Sequence, residues 1–161
     1  MEKIMICIKH KYVQKILSGE KVWELRTKLP KCKVPFKVFI YDSAKKGVVA
    51  EFVCDKILKM ASYTVMLEGT GLTKEEIYHY AGDRKYTYYW HISELVEYFF
   101  PKELNEFYIK CKIYEKGDGC WDTKCPYYEV PSYEYGEINY DCEGKKPIRV
   151  PPQLWYHVEE K

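Results

Sequence analysis

Three charged residues near the start of the chain have types and spacing suited to binding an anion or a base edge: Lys21, Glu24 and Arg26. Arginine offers a planar fork of donors that fits a phosphate or a base edge. Lysine adds a compact charge, and glutamate accepts hydrogen bonds from amino groups. Glu24 and Arg26 are two residues apart, so on a strand they share one face, while Trp23 and Leu25 turn to the other. The same pair could equally be a structural ion pair at the rim of a sheet, where such pairs contribute little.

Other constellations are weaker. Cys111, Cys120, Cys125 and Cys142 could together hold a structural zinc, although their spacing is looser than paired C-x2-C motifs. His10, His79, His91 and His157 show no H-x3-H spacing. No glycine-rich phosphate loop and no G-x-S-x-G elbow occur. No cofactor is required by any motif present.

The elements that must position Lys21, Glu24 and Arg26 follow from patterning. Residues 3–9 read as a strand. Residues 10–18 follow helical periodicity, with Val13, Ile16 and Leu17 on one face. Gly19 falls where a helix ends in a left-handed residue, and residues 21–27 return to strand character. Residues 37–42 and 47–58 read as strands joined by a turn at Ser43–Lys46. Thr73 and Glu76 form a capping box for a short helix over 73–81, ended by Gly82. Residues 84–99 start strand-like, and Pro101 is expected to break that run. Residues 107–114 alternate as a strand. Residues 115–146 read as a Tyr/Cys-rich insertion, and the LWYHV stretch as a closing strand. Strands dominate without regular βαβ alternation, so the expected class is α+β, mainly β: one domain over 1–161, a small barrel with short flanking helices.

The chain carries 17 Tyr, 6 Phe and 4 Trp, which serve strands and cores and can also stack on bases. Net charge is only +2, but residues 1–60 hold 14 Lys/Arg against 6 Asp/Glu. A basic half can place a phosphate-attracting patch on a near-neutral protein. The N-terminal residues lack the form of a signal peptide, and no apolar run is long enough for a membrane span. The expectation is a cytoplasmic protein with reduced cysteines and no membrane partner.

In this order, the motifs resemble the ASCH family of the PUA-like superfamily. The strand–helix–strand opening carries G-x-K-x-x-E-x-R as Gly19, Lys21, Glu24 and Arg26. KVFIYDS, GVVAEFVCDKIL, YAGDRKYTYYWHI and VPPQLWYHV look like the family's later blocks, the last as in phage and bacterial members. The resemblance implies a PUA-like barrel whose cleft binds RNA, single-stranded nucleic acid or a nucleotide. The expected ligand contacts are Lys21, Glu24, Arg26, Ser43, Lys45, Lys46, Arg84, Lys85 and Trp90. Tyr41, Tyr88 or Trp90 would offer a stacking face.

Two further activities are implied by relatives. Small amidohydrolases acting on acylated nucleosides use a lysine, a threonine three residues on and a distant glutamate. Lys21 matches, but Glu24 stands at the threonine's place, and a carboxylate does not replace a hydroxyl in acyl transfer by the same route. Ribonuclease-like relatives pair a lysine with tyrosine and serine, for which Lys21, Tyr41 and Ser43 are the candidates. Binding is favoured over catalysis. A third possibility is a protein-interaction module using the tyrosines of residues 127–140.

Overall fold

In the computed structural model, residues 1–110 and 145–160 are described. Eleven strands and two helices run in the order β1 (Lys3–Ile8), α1 (His10–Leu17), β2 (Trp23–Arg26), β3 (Phe36–Asp42), β4 (Gly47–Cys54), β5 (Ile57–Ala61), α2 (Lys74–Ala81), β6 (Tyr86–His91), β7 (Ser93–Lys102), β8 (Phe107–Lys110), β9 (Lys145–Pro147), β10 (Tyr156–His157) and β11 (Glu159–Glu160). Cys111 and the expected insertion over 115–146, with Cys120, Cys125, Cys142 and the tyrosines of 127–140, lie outside the described residues, except that Lys145 and Lys146 belong to β9.

The strands form three open sheets, ordered β10-β1-β3-β4-β7, β2-β6-β5 and β11-β8-β9. Among the described residues no sheet closes on itself, where a closed barrel was expected. The five-stranded sheet is central and buried on both faces. Alternate residues of β1 and β3 therefore enter different cores. Ile4, Ile6, Ile8, Val38 and Ile40 face α1 and Trp90, whereas Met5, Phe39 and Tyr41 face Phe107, Ile148 and Val158. Burial on both faces is why these strands read as nearly continuous apolar runs. β1 and β3 pair in parallel, so α1 and β2 form the crossover between them. Each fully buried Ile, Val or Phe contributes about 1.5–3 kcal/mol.

Two corners pass the chain between sheets. The run 47–58 splits at Asp55 and Lys56 into β4 and β5, and the aromatic run splits at Ile92 into β6 and β7. His91 Nδ1 meets Asp55 Oδ1 at 2.8 Å, tying the corners together. Pro101 does not break the second run. It lies within β7, an edge strand of the central sheet, where a missing N–H costs no ladder bond.

At the β3–β4 turn, the wholly buried Asp42 carboxylate accepts from Ala44 N at 2.8 Å and lies 2.6 Å from His10 Nδ1. Burial works to raise its pKa, but the bonds from His10, Ala44 and Lys45 together outweigh it and hold the carboxyl below its ordinary range. A depressed carboxyl pKa stabilises the fold above the unfolded-state value, and that stability is lost as pH falls through the folded value. Asp42→Asn is therefore expected to cost about 1.5–3 kcal/mol at neutral pH. The gap from wild type should narrow in acid, below the usual carboxylate range, as read by urea melts at neutral and strongly acidic pH.

Candidate functional site

The segment from Gly19 to Arg26 is positioned by the loop before α2. α1 ends at Ser18, and Gly19 takes φ +79°, turning the chain into β2. The carbonyl of Gly69 accepts from Val22 N at 2.7 Å and Trp23 N at 2.9 Å. Gly69 itself has φ +68°, and a Cβ there would lie 2.6 Å from Val22 Cγ2, so the close approach requires glycine. This clasp brings the Thr70 carbonyl over Lys21.

Lys21 is only 2% exposed. Its Nζ donates to the Trp23 carbonyl at 2.8 Å and the Thr70 carbonyl at 3.0 Å, and lies 3.3 Å from Glu24 Oε2. Glu24 Oε1 lies 3.1 Å from Arg26 Nη2. The carboxylate thus bridges two cations, and all three residues are buried. Trp23 and Leu25 pack beneath α2 with Tyr89 and Ile77, so the alternation expected of this strand is realised.

Arg26 is the least satisfied of the three. Its Nε is buried without a hydrogen-bond partner among the described residues, as is Nε1 of Trp90, whose ring lies 6.0 Å from the guanidinium carbon. Unpaired buried donors are uncommon and costly. The residues surround a pocket of about 470 Å³ between α1, β2 and α2, also lined by Gln153. That volume lies within the usual range for small-ligand sites. Four cations line it, Lys9, Lys11, Lys21 and Arg26, against the two carboxylates Glu24 and Glu76. The pocket therefore carries a surplus of two positive charges with histidine neutral.

The far wall is braced across the pocket. Glu76 accepts from Lys11 Nζ at 2.8 Å and the Tyr12 hydroxyl at 2.9 Å, while completing the capping box with Thr73. The hydrogen bond from Lys11 leads the effects that bring its carboxyl to about 2. Burial pushes the Tyr80 hydroxyl up, partly offset by Arg26, so it remains a donor at neutral pH. Burial likewise raises the Cys7 thiol.

The other expected contacts are not part of the pocket lining. Ser43, Lys45 and Lys46 are exposed at the β3–β4 turn, and Arg84 and Lys85 are exposed before β6. None of them lines the pocket. Tyr41 is buried in the core on the opposite face of the central sheet, where burial raises its hydroxyl pKa. Trp90 is fully buried, edge-on to Phe36 at 5.4 Å, so its face is not open to a base. Cys7, Tyr12, Glu76, Tyr80 and Gln153 were not anticipated. The Thr73/Glu76 capping box marked Glu76 as structurally engaged, but no local pattern placed it at the pocket.

The family model for the ASCH domain matches residues 6–129. No curated protein matches the chain. Among solved structures, a point mutant of the ASCH protein from Zymomonas mobilis superposes with a TM-score of 0.59 at 16% identity, over 65% of this chain and 77% of that one. A crystal structure of ASCH from the same organism gives a TM-score of 0.57 at 17% identity, over 63% and 73%. These likenesses concern the fold. Among the described residues no helix is long and apolar enough to cross a membrane.

Proposed function

The chain belongs to the ASCH domain family, and on that premise we propose that the pocket between α1, β2 and α2 binds a nucleotide unit of single-stranded RNA. The carrying observation is the buried Arg26 guanidinium, whose Nε has no partner among the described residues, in a pocket with two surplus positive charges. Such a group favours an anion or the acceptor edge of a base. Glu24 holds Arg26 in place and keeps further lone pairs for a base amino group. Lys21 is a positioning residue. Its amine is directed at two carbonyls and Glu24, which favours binding over a hydrolytic role for that amine. Tyr80 and Gln153 contribute further polar groups to the lining.

The test is a titration of labelled single-stranded RNA across a salt series, followed by inspection of the recovered RNA. Binding should weaken with salt, with a log–log slope of about −1.4 to −2 for two to three neutralised phosphates, and the RNA should be intact. Cleavage that disappears in Lys21→Ala would overturn the binding-only reading. Salt-insensitive binding to a protein partner instead of RNA would favour an interaction module.

A further inference from the structure

Glu24 and Arg26 line the pocket from β2, and the β2–β6–β5 sheet carries features beyond them that the pocket does not use. Residues directly opposite in a ladder share a face. Arg26 is opposite Tyr88, and Tyr88 is opposite Lys59. These three form one row beside the row of Glu24, Trp90 and Ile57. The next row outward contains Tyr86, opposite Ala61. The face thus runs from the buried Glu24 and Arg26 through the half-buried Tyr88 to the half-buried Tyr86 and the exposed Lys59.

The charges along this path differ from those on the central sheet. There, Lys3 and Lys102 both reach Glu160, and Lys37 reaches Glu51. Lys59 and Lys85 have no carboxylate partner among the described residues. Their ammonium groups instead lie 4.0 and 5.5 Å from the Tyr86 ring centroid. An aromatic face flanked by unneutralised cations suits a chain of bases and phosphates. Bases stack on tyrosine rings, and lysines follow the backbone. A duplex would hide the base faces that such rings engage.

We propose that this face is a track for the nucleotides adjoining the one in the pocket, so that the partner is a single strand several nucleotides long and not a free nucleotide. Tyr86 stacks on a base, and Lys59 and Lys85 contact phosphates. The inference rests on the pocket reading above but makes a separate claim, namely length dependence.

The experiment measures affinity for a single-stranded RNA dinucleotide and a decanucleotide of the same mixed composition. Wild type, Lys59→Glu and Tyr86→Ala are compared, with thermal melts to confirm folding. Wild type should bind the decanucleotide markedly more tightly. Tyr86→Ala should weaken the decanucleotide about fivefold or more, the loss expected for one stacked base. Lys59→Glu should weaken it about as much and flatten its salt slope by about 0.7, one phosphate contact on a single strand. Both variants should bind the dinucleotide as wild type does. Equal binding of both lengths by wild type, or unaltered decanucleotide binding by both variants, would refute the track and leave the pocket intact. Failure of wild type to bind either RNA would overturn the pocket reading and the track together.

Discussion

Lys21→Met is expected to lower the unfolding free energy by about 3–5 kcal/mol, the usual cost of removing one member of a buried ion pair. Methionine has similar length and leaves no large void, so the loss is electrostatic. The Trp23 and Thr70 carbonyls lose a donor, and Glu24 keeps only Arg26 as a charged partner. Because the Thr70 carbonyl belongs to the loop that clasps Val22 and Trp23, loosening it also frees the α1–β2 connection. Urea denaturation measures the effect. Adding Glu24→Gln should recover part of it, because the double variant no longer buries an underpaired carboxylate, and neighbours of this kind are not additive. A loss below about 1 kcal/mol, the scale of an exposed pair, would show that Lys21 does not hold the site together.

Arg26→Lys should weaken RNA binding about tenfold to a hundredfold, while changing stability far less than Lys21→Met. The charge survives, so Glu24 keeps a cation nearby. What disappears is the planar fork, including the unpartnered Nε, and a lost bidentate contact is worth about 1–3 kcal/mol. Lysine also lacks the planar group that can stack on an aromatic ring, and the Arg26 guanidinium carbon lies 6.0 Å from the Trp90 ring centroid. Fluorescence anisotropy with labelled RNA, read beside a urea melt, separates the two effects. Unchanged affinity would mean that Arg26 serves only to pair with Glu24.

Much of this arrangement is legible in local sequence. The helix ending at Gly19, the strand that follows, and the division of Glu24 and Arg26 from Trp23 and Leu25 all depend on periods of a few residues. The capping box at Thr73 is equally local. What is not legible depends on register and on distant segments. Within the aromatic run 84–99, nothing local tells Trp90 from Tyr88 and Tyr86. Pairing with β2 and β5 puts Trp90 in the innermost row, beneath Trp155 at 6.4 Å, and leaves Tyr86 toward the rim. Ser43, Lys45 and Lys46 are expected contacts through the family resemblance; the hairpin leaves them exposed at a turn where Ser43 N donates to the carbonyl of Ile8 at 3.3 Å, outside the pocket lining itself. Lys21 reads as a charged group at a strand entrance. Its burial comes from a loop some fifty residues onward, as the Lys21–Thr70 separation of 49 shows. A barrel was likewise expected, from strand content and from the family resemblance, but among the described residues the corners at Asp55 and Ile92 distribute the strands into separate open sheets.

The most direct test of the central claim is an NMR titration that follows the Arg26 Nε–H resonance as single-stranded RNA is added. If the pocket is the binding site, this buried donor gains its missing acceptor. Its signal should then move progressively to saturation, together with the indole N–H of Trp90. If RNA saturates the protein while the Arg26 Nε–H signal stays where it was, the pocket is not the nucleic-acid site and the assignment is wrong.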